Sequence, residues 1–172
     1  TSHRGVPFEP MPTLVFQTTI QAPIDRCFDL ARSIDFHVHS MARTGEVAIA
    51  GTTSGLIGEG EEVTWRARHF GVTQRLTSRV VECRRPEVFV DEQVRGAFHS
   101  FRHEHRFAAV DADLTMLTDS FAFRAPCGVV GRVVEVLILR RYMNRVLTLH
   151  LANLKRALES DGWRRFLEAG EA

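Results

Sequence analysis

The first third of the chain changes from a strand pattern to a helical one. Residues 13–20, TLVFQTTI, alternate and are rich in β-branched side chains, which predicts a strand. Pro23 then opens a helical pattern at the position where a missing N–H costs nothing. The apolar residues of that helix share one stripe: Ile24, Cys27, Phe28, Ala31 and Ile34. Residues 35–41 predict a short helix or turn, and residues 46–50 a short strand.

The middle of the chain predicts a run of antiparallel strands after the glycine-rich loop at 51–60, which we expect to form a mobile rim over a pocket. The turn signals are Phe70–Gly71, the proline after Arg85, and Asp111–Asp113, which is the clearest hairpin signal. The predicted strands are 63–69, 72–84, 89–95, 97–109 and 114–123. Their spacing indicates a meander in which each strand pairs with the next.

A single long helix is predicted from Val129 to Leu158, after a break at Pro126–Gly128. Its apolar stripe consists of Val136, Leu139, Met143, Val146, Leu147, Leu151, Leu154 and Leu158. Strands in a run with segregated helices indicate an α+β protein, with a curved antiparallel sheet of about seven strands wrapped around the long C-terminal helix. Such an arrangement leaves a pocket unless bulky side chains fill it.

We find no internal repeat and no linker, so the sequence predicts one domain. That domain covers residues 13–160, with a flexible N-terminal arm at 1–12 and a C-terminal tail at 161–172. The 172 residues are 44% hydrophobic and 25% charged, which is typical of a globular protein. No segment is long and apolar enough to cross a bilayer, and residues 1–12 do not form a signal peptide, so we expect no stable membrane insertion.

The charges nearly cancel, with 22 basic and 21 acidic residues. This balance argues against a protein built mainly to bind nucleic acid or acidic membranes. Lys155 is the only lysine, and the other 21 basic residues are arginines spread along the chain, a bias that we attribute to codon usage. Three separated cysteines without a CxxC motif argue against a disulfide framework and favour a reducing, cytoplasmic setting.

The densest candidate chemistry lies in the predicted strand at 97–109. Side chains alternate in a strand, so one face carries five aromatic and imidazole rings: His99, Phe101, His103, His105 and Phe107. If Val110 pairs with Leu114 across the hairpin, His105 lies opposite Asp119. A His–Asp pair on a pocket wall can orient a ligand carbonyl or act as general acid and base, although it can also simply fix the sheet. We expect the carboxylate to raise the pKa of His105.

The same histidines raise the question of a metal. His103 and His105 could share an ion, and Asp119 or His37 could supply a third ligand. Histidines that are clustered in sequence also occur without an ion, so we expect no bound metal and no cofactor.

Several side chains are predicted to form the apolar wall of the pocket: Trp65, Phe89, Phe101, Phe121, Phe123 and Met143. If Phe89 faces the pocket, Gln93 on the same strand face is a further polar contact. The rival interpretation makes Val88, Val90 and Val94 the inner face of this strand.

Four segments carry a resemblance to a known superfamily: PIDRCFDLARSIDFHVHSM, SGLIGEGEEVTWRARHFG, RPEVFVDEQVRGAFHSFRHEHRF and TDSFAFRAPCGVVG. They resemble the superfamily that includes the major birch-pollen allergen, the lipid-transfer START domains and the bacterial polyketide cyclases (SRPBCC). More narrowly, they resemble the bacterial polyketide cyclase/dehydrase-like or coenzyme Q-binding-like members, and the resemblance covers residues 13–155. The resemblance implies a helix-grip fold with an internal ligand pocket, while members of the superfamily differ in whether they catalyse a reaction.

Three functions compete at this point. The leading one is binding, as a carrier or sensor, of a small hydrophobic, lipid-like or polycyclic ligand. The alternative is a cyclase or dehydratase that uses His105 and Asp119 as an acid/base pair. A third is a partner-binding domain whose pocket is filled by phenylalanine side chains. We expect a small hydrophobic molecule as the partner and no nucleic acid, and we leave homodimer formation open.

Overall fold

The computed structural model describes residues 11–69, 71–125 and 138–168. The seven strands are β1 (Thr13–Ile20), β2 (Val47–Gly51), β3 (Glu62–His69), β4 (Val72–Arg84), β5 (Val88–Arg95), β6 (Ser100–Asp111) and β7 (Leu114–Arg124). The helices are α1 (Ile24–Ala31), α2 (Ile34–Ser40), α3 (Arg140–Leu158) and α4 (Arg164–Leu167), with short 3₁₀ turns at Ala42–Thr44 and Asp161–Trp163. Of the long helix predicted from Val129, residues 129–137 lie outside the described residues.

All seven strands form one antiparallel sheet in the order β1-β7-β6-β5-β4-β3-β2. The strands β2 to β7 are a meander, and β1 adds to its far edge by pairing with β7. Register shifts at Ala48/Ala50, Thr77/Ser78, Val80/Glu82 and Ala109/Asp111 interrupt the ladders. Such bulges bend a sheet and increase its twist. The predicted α+β class, with a curved sheet around a C-terminal helix, is confirmed.

One end of the molecule is a solid core. Phe28 of α1 is fully buried, and its ring meets those of Phe89 and Phe107 edge-on, with centroids 5.7 and 5.6 Å apart. The C-terminal half of α3 adds Leu154 and Leu158 to the same cluster. Trp163 and other side chains of the C-terminal segment cover it from outside. The N-terminal half of α3 lies against a different part of the sheet, where the cavity is found.

The hairpin between β6 and β7 differs in detail from the prediction. Asp111 pairs with Leu114, and a register shift between Ala109 and Asp111 leaves Val110 as the extra residue. The pairing that we assumed for Val110 is therefore wrong, yet the bulge absorbs the difference and the register beyond it is the predicted one. The strand also begins at Ser100 rather than at residue 97, so His99 is exposed and lies outside β6.

Both faces of β5 are buried at its start. Phe89 lies on the inner face, as preferred from the sequence, but Val88 and Val90 are also fully buried on the outer face. Their cross-strand neighbours include Arg106 and Glu104, which form an ion pair. Long charged side chains can cover apolar surface with their aliphatic stems. Burial of Phe89 and burial of the flanking valines are therefore compatible at the start of β5.

No helix among the described residues is long and apolar enough to cross a membrane.

Candidate ligand-binding site

A cavity of about 480 Å³ lies between the inner face of the sheet, the α1–α2 segment and the N-terminal half of α3. Its apolar wall includes Val63, Trp65, Ala67, Leu76, Val80, Phe89, Phe101, Phe121, Met143, Val146 and Leu147. The phenylalanines pack on the wall and do not fill the space, which opposes the hypothesis of a filled pocket. Met143 and Leu147 of α3 belong to one apolar cluster with Phe101 and Phe121 of the sheet.

The glycine-rich loop lies at this cavity, where Ile57 contributes to the lining. The amide of Ile57 donates to the carbonyl of Arg32, and the amide of Ile34 donates to the carbonyl of Gly55. Gly51 starts the loop with φ +74°, and a Cβ there would lie 2.1 Å from the carbonyl oxygen of Glu62. The loop is thus fastened to the start of α2, and its mobility stays a prediction.

Three predicted site residues do not line the cavity. Phe123 is fully buried, with its ring centroid 5.5 Å from that of Phe121, behind the wall. The amide of Gln93 donates to the carbonyl of Phe98 at 2.8 Å and accepts from its N–H at 3.2 Å, so Gln93 fastens the β5–β6 connection. Asp119 is fully buried behind two histidines. Phe98 itself is a wall residue that was not predicted from the sequence.

Asp119 lies opposite His105 in the sheet, as the sequence predicted, but its hydrogen bond is with His103. The distance from His103 Nε2 to Asp119 Oδ1 is 2.5 Å, whereas His105 Nδ1 lies 3.5 Å from the same oxygen. The ring of His105 instead stacks on Phe89, with centroids 4.2 Å apart. Both histidines line the cavity, so Asp119 orients His103 from behind the wall.

Charge and burial give the members of this cluster different protonation states. Burial alone would raise the pKa of Asp119, but His103, through its charge and its hydrogen bond, and the nearby His105 hold this pKa well below its usual range. Burial likewise opposes the charge on His103, yet the nearby Asp119 raises the pKa of His103 above its ordinary value. Asp119 Oδ2 is buried without a hydrogen-bond partner among the described residues, so this carboxylate is held through one oxygen.

His105 behaves in the opposite way to the expectation from the sequence. Burial first, and then the charge on His103, lowers the pKa of His105 well below its ordinary value. The expected rise was wrong because His103 takes the hydrogen bond of Asp119 and becomes a like charge for its neighbour. The ring centroids of the two histidines are 4.0 Å apart. The cavity wall therefore presents one imidazole, His103, whose cationic form is favoured, beside another, His105, whose neutral form is favoured.

Asp91 joins this cluster from the neighbouring strand, a contact that sequence reasoning missed. It pairs with His103 across β5 and β6, and its Oδ1 lies 3.9 Å from His103 Nδ1. Burial raises the pKa of Asp91. Among the described residues, donor atoms of Asp91, His103 and His105 lie within 4.8 Å of one another, a spacing from which a divalent ion could be held. The absence of a bound metal stays a prediction.

A second polar group faces the cavity from the helical side. His37 Nε2 lies 2.9 Å from Glu46 Oε1, and His150 Nδ1 lies 2.7 Å from Ser40 Oγ. The ring of His37 also packs against Trp65, with centroids 4.4 Å apart. Burial would raise the pKa of Glu46, but the charge and hydrogen bond of His37 lower it.

Glu46 and His150 line the cavity but are not among the site residues predicted from the sequence. His150 lies three residues after Leu147 and four before Leu154, on the apolar stripe of α3, so its position at a buried face could have been recognised. Burial, together with the charge of His37, lowers the pKa of His150 to about 3. The charges of Asp119 and Glu46 raise this pKa, and the charge of His103 lowers it.

This buried histidine predicts a loss of stability in acid. The unfolded chain takes up a proton at His150 as the pH falls through about 6.5, whereas the folded chain does not until about pH 3. The stability linked to neutral His150 is therefore present above pH 6.5 and is lost as the pH falls. Between pH 6 and 4, His150 should therefore lower the free energy of unfolding by roughly 1.4 kcal/mol for each pH unit that the pH falls.

Urea unfolding at several pH values measures that slope. His150→Gln should remove this part of it, and His39→Gln, which replaces an exposed histidine, is the matched control. Equal slopes for the wild type and His150→Gln would contradict the assignment of His150 as a neutral buried base.

A family model described as polyketide cyclase/dehydrase and lipid transport matches residues 11–159. No curated protein matches the chain at a significant level. Among solved structures, the Zhui aromatase/cyclase from Streptomyces sp. R1128 has 18% identity and a TM-score of 0.64, over 94% of this chain and 99% of that one. A START superfamily protein from Mycobacterium smegmatis has 11% identity and a TM-score of 0.66, over 86% and 97% of the two chains.

The major latex-like protein 151 of Panax ginseng has 14% identity and a TM-score of 0.61, over 88% of this chain and all of that one. At these identities the structural matches show a shared fold, and the chemistry must be argued from the site itself. The family model covers most of the chain, including the strands that carry the histidines and all of α3. The chain therefore belongs to the polyketide cyclase/dehydrase and lipid transport family, within the START-like SRPBCC superfamily.

Proposed function

We propose that this protein binds a small hydrophobic, lipid-like or polycyclic molecule in its cavity and acts as a carrier or sensor. The observation that carries the proposal is the composition of the cavity wall. Aromatic and aliphatic side chains make up most of it, and a few buried polar groups interrupt it at defined places. Cavities of this kind bind apolar ligands that carry one or two polar groups.

The polar groups indicate which ligand atoms would be recognised. The cationic His103 offers a hydrogen-bond donor on the sheet side of the cavity, which suits a carbonyl or carboxylate oxygen. Glu46, on the helical side, is an acceptor that suits a hydroxyl or amine. A flat apolar body between them would lie against Trp65 and Phe121, which both line the cavity.

Tryptophan fluorescence tests the proposal directly because the chain has two tryptophans in different places. Trp65 lines the cavity, whereas Trp163 lies between Arg26 and Arg164, 4.1 and 4.8 Å from its ring centroid, outside the cavity. Naphthoquinone, a planar apolar quencher, should quench the fluorescence with a saturable dependence, and oleate or anthraquinone should compete.

The two tryptophan variants serve as matched controls. Trp65→Phe should abolish the saturable quenching, and Trp163→Phe should retain it. Quenching that persists unchanged in Trp65→Phe, or that fails to saturate in the wild type, would contradict binding in this cavity. Native mass spectrometry of protein from its own source would then identify a retained natural ligand.

A second candidate is supported by the two histidines at the cavity wall. Neighbouring groups whose pKa values are driven apart can serve as an acid and a base. Here the cationic His103 would donate a proton to a ligand carbonyl oxygen, and the neutral His105 would accept one from the adjacent carbon, as a cyclase or dehydratase requires. Asp119 would be a positioning residue, which revises the acid/base pair of His105 and Asp119 expected from the sequence.

A further inference from the structure

The near-zero net charge of the chain hides an uneven distribution of its arginines. At the end of the sheet where β3 turns into β4, Arg66, Arg68 and Arg75 are all exposed, and Arg95 is exposed at the end of β5. Arg66 and Arg75 lie directly opposite each other in the β3–β4 ladder. Like charges at directly opposed positions destabilise a sheet unless an anion offsets them.

The start of α3 brings further arginines to this end. Tyr142 Oη lies 2.5 Å from His69 Nδ1, so the first turns of α3 adjoin the end of β3. Arg140, Arg141 and Arg145 are exposed on these turns. We call the seven arginines of this and the preceding paragraph the arginine end.

Among the described residues, no carboxylate forms an ion pair with a member of the arginine end. The arginines that do form ion pairs in the described part of the chain are others, such as Arg85 with Asp25 and Asp29. Glu46, which does lie near this end, is turned into the cavity. Exposed acidic residues such as Asp113 instead lie at the opposite end of the strands.

The cavity and two exposed apolar side chains reach the same end. His69, Gln74 and Leu139 line the cavity there. Val72 is 60% exposed at the start of β4, and Ile138 is 52% exposed just before α3. Cationic groups together with projecting apolar side chains form the chemical complement of an anionic lipid surface, which offers phosphates above acyl chains.

We propose that the arginine end docks this protein onto an anionic lipid membrane, with the adjoining end of the cavity facing the lipid. The inference builds on the proposed binding of a lipid-like molecule, because a membrane is the natural store of such ligands. It also revises the expectation that charge balance argues against binding to acidic membranes. A net charge near zero over the whole chain still allows positive charges to cluster at one end of the molecule.

Vesicle co-sedimentation tests the proposal without any cavity ligand, so that its failure would leave the ligand-binding proposal intact. The probes are vesicles of pure phosphatidylcholine and of phosphatidylcholine mixed equally with phosphatidylglycerol. The wild type should bind the mixed vesicles more tightly, and added salt should weaken the binding. Arg66→Gln/Arg75→Gln should reduce the affinity roughly 25-fold, since each basic residue beside an anionic surface contributes about a factor of five.

The matched control is Arg156→Gln/Arg164→Gln, which removes the same charge from exposed sites away from the arginine end and should keep the wild-type affinity. Equal binding to both vesicle types, no binding, or an equal loss in the control would overturn the proposal. The proposal would also be overturned if millimolar glycerol phosphate prevented the wild type from binding the mixed vesicles, because that result would indicate a site for a free phosphate. Tighter binding to duplex DNA than to the mixed vesicles would overturn it in favour of nucleic acid.

Discussion

Leu147→Asp should destabilise the protein by about 4 kcal/mol, because it buries a carboxylate among apolar side chains and removes a packed leucine. Leu147 is 6% exposed and packs in one cluster with Phe101, Phe121 and Leu14. These neighbours offer no hydrogen-bond donor from a side chain. The folded chain must therefore hold the new carboxylate as a neutral acid or shift α3 away from the sheet.

Urea unfolding near pH 7 measures this effect, and the adjacent residue supplies the control. Thr148 is exposed on the same helix, so Thr148→Asp introduces the same charge one position away and should change the free energy of unfolding by less than about 0.5 kcal/mol. A cost below 1 kcal/mol for Leu147→Asp would mean that this face of α3 does not pack against the sheet in solution.

The strand pattern was sufficient to predict the sheet and much of the cavity wall. Alternation along β3 and β6 placed Trp65, Phe101, His103 and His105 on one face, and these side chains all line the cavity. The predicted register of β6 against β7 is also observed, with His105 opposite Asp119. Such predictions succeed because the period of a strand and the geometry of a hairpin are local properties of the backbone.

The contacts within the site were less predictable because they depend on side-chain rotamers and on distant parts of the chain. Register identifies which Cα atoms are opposed, but it does not determine where the side chains turn. The ring of His105 stacks on Phe89, and Asp119 forms its short hydrogen bond with His103 instead. Gln93 shares the strand face of Phe89, yet it turns to the β5–β6 connection. Asp91 meets His103 only through the β5–β6 ladder, whose register no short turn specified.

Long-range placement explains the remaining gaps. Glu46, His37 and His150 meet at the cavity only because α3 crosses the sheet and lies beside α2, a packing angle that sequence periodicity does not contain. The arginine end is a similar case, since its members come from three strands and a helix. A count of charges along the chain could not distinguish it from an even distribution.

Asp119→Asn should have the largest effect on the site, and the size of that effect should depend on pH. In the wild type the pKa of His103 is raised, so its charged form contributes stability that is fully present below about pH 6.5 and is lost as the pH rises through its folded pKa. Without the carboxylate, burial would dominate and lower the pKa of His103. We expect a loss of about 3 kcal/mol at pH 5, where the unfolded chain favours a protonated His103, and a smaller loss at pH 8.

The same variant separates a carrier from an enzyme. Asp113→Asn is its control, because Asp113 is exposed in the β6–β7 turn far from the cavity. A histidine NMR titration should show that the pKa of one cavity histidine falls in Asp119→Asn and is unchanged in Asp113→Asn. A pKa that does not change in Asp119→Asn would contradict the His103–Asp119 pair.

If the protein is a cyclase or dehydratase, turnover of a polyketide substrate should be lost in His103→Gln and His105→Gln and reduced in Asp119→Asn. If it is a carrier, the quenching of Trp65 by naphthoquinone should survive all three changes with altered affinity, because the apolar wall that binds the ligand body remains in place.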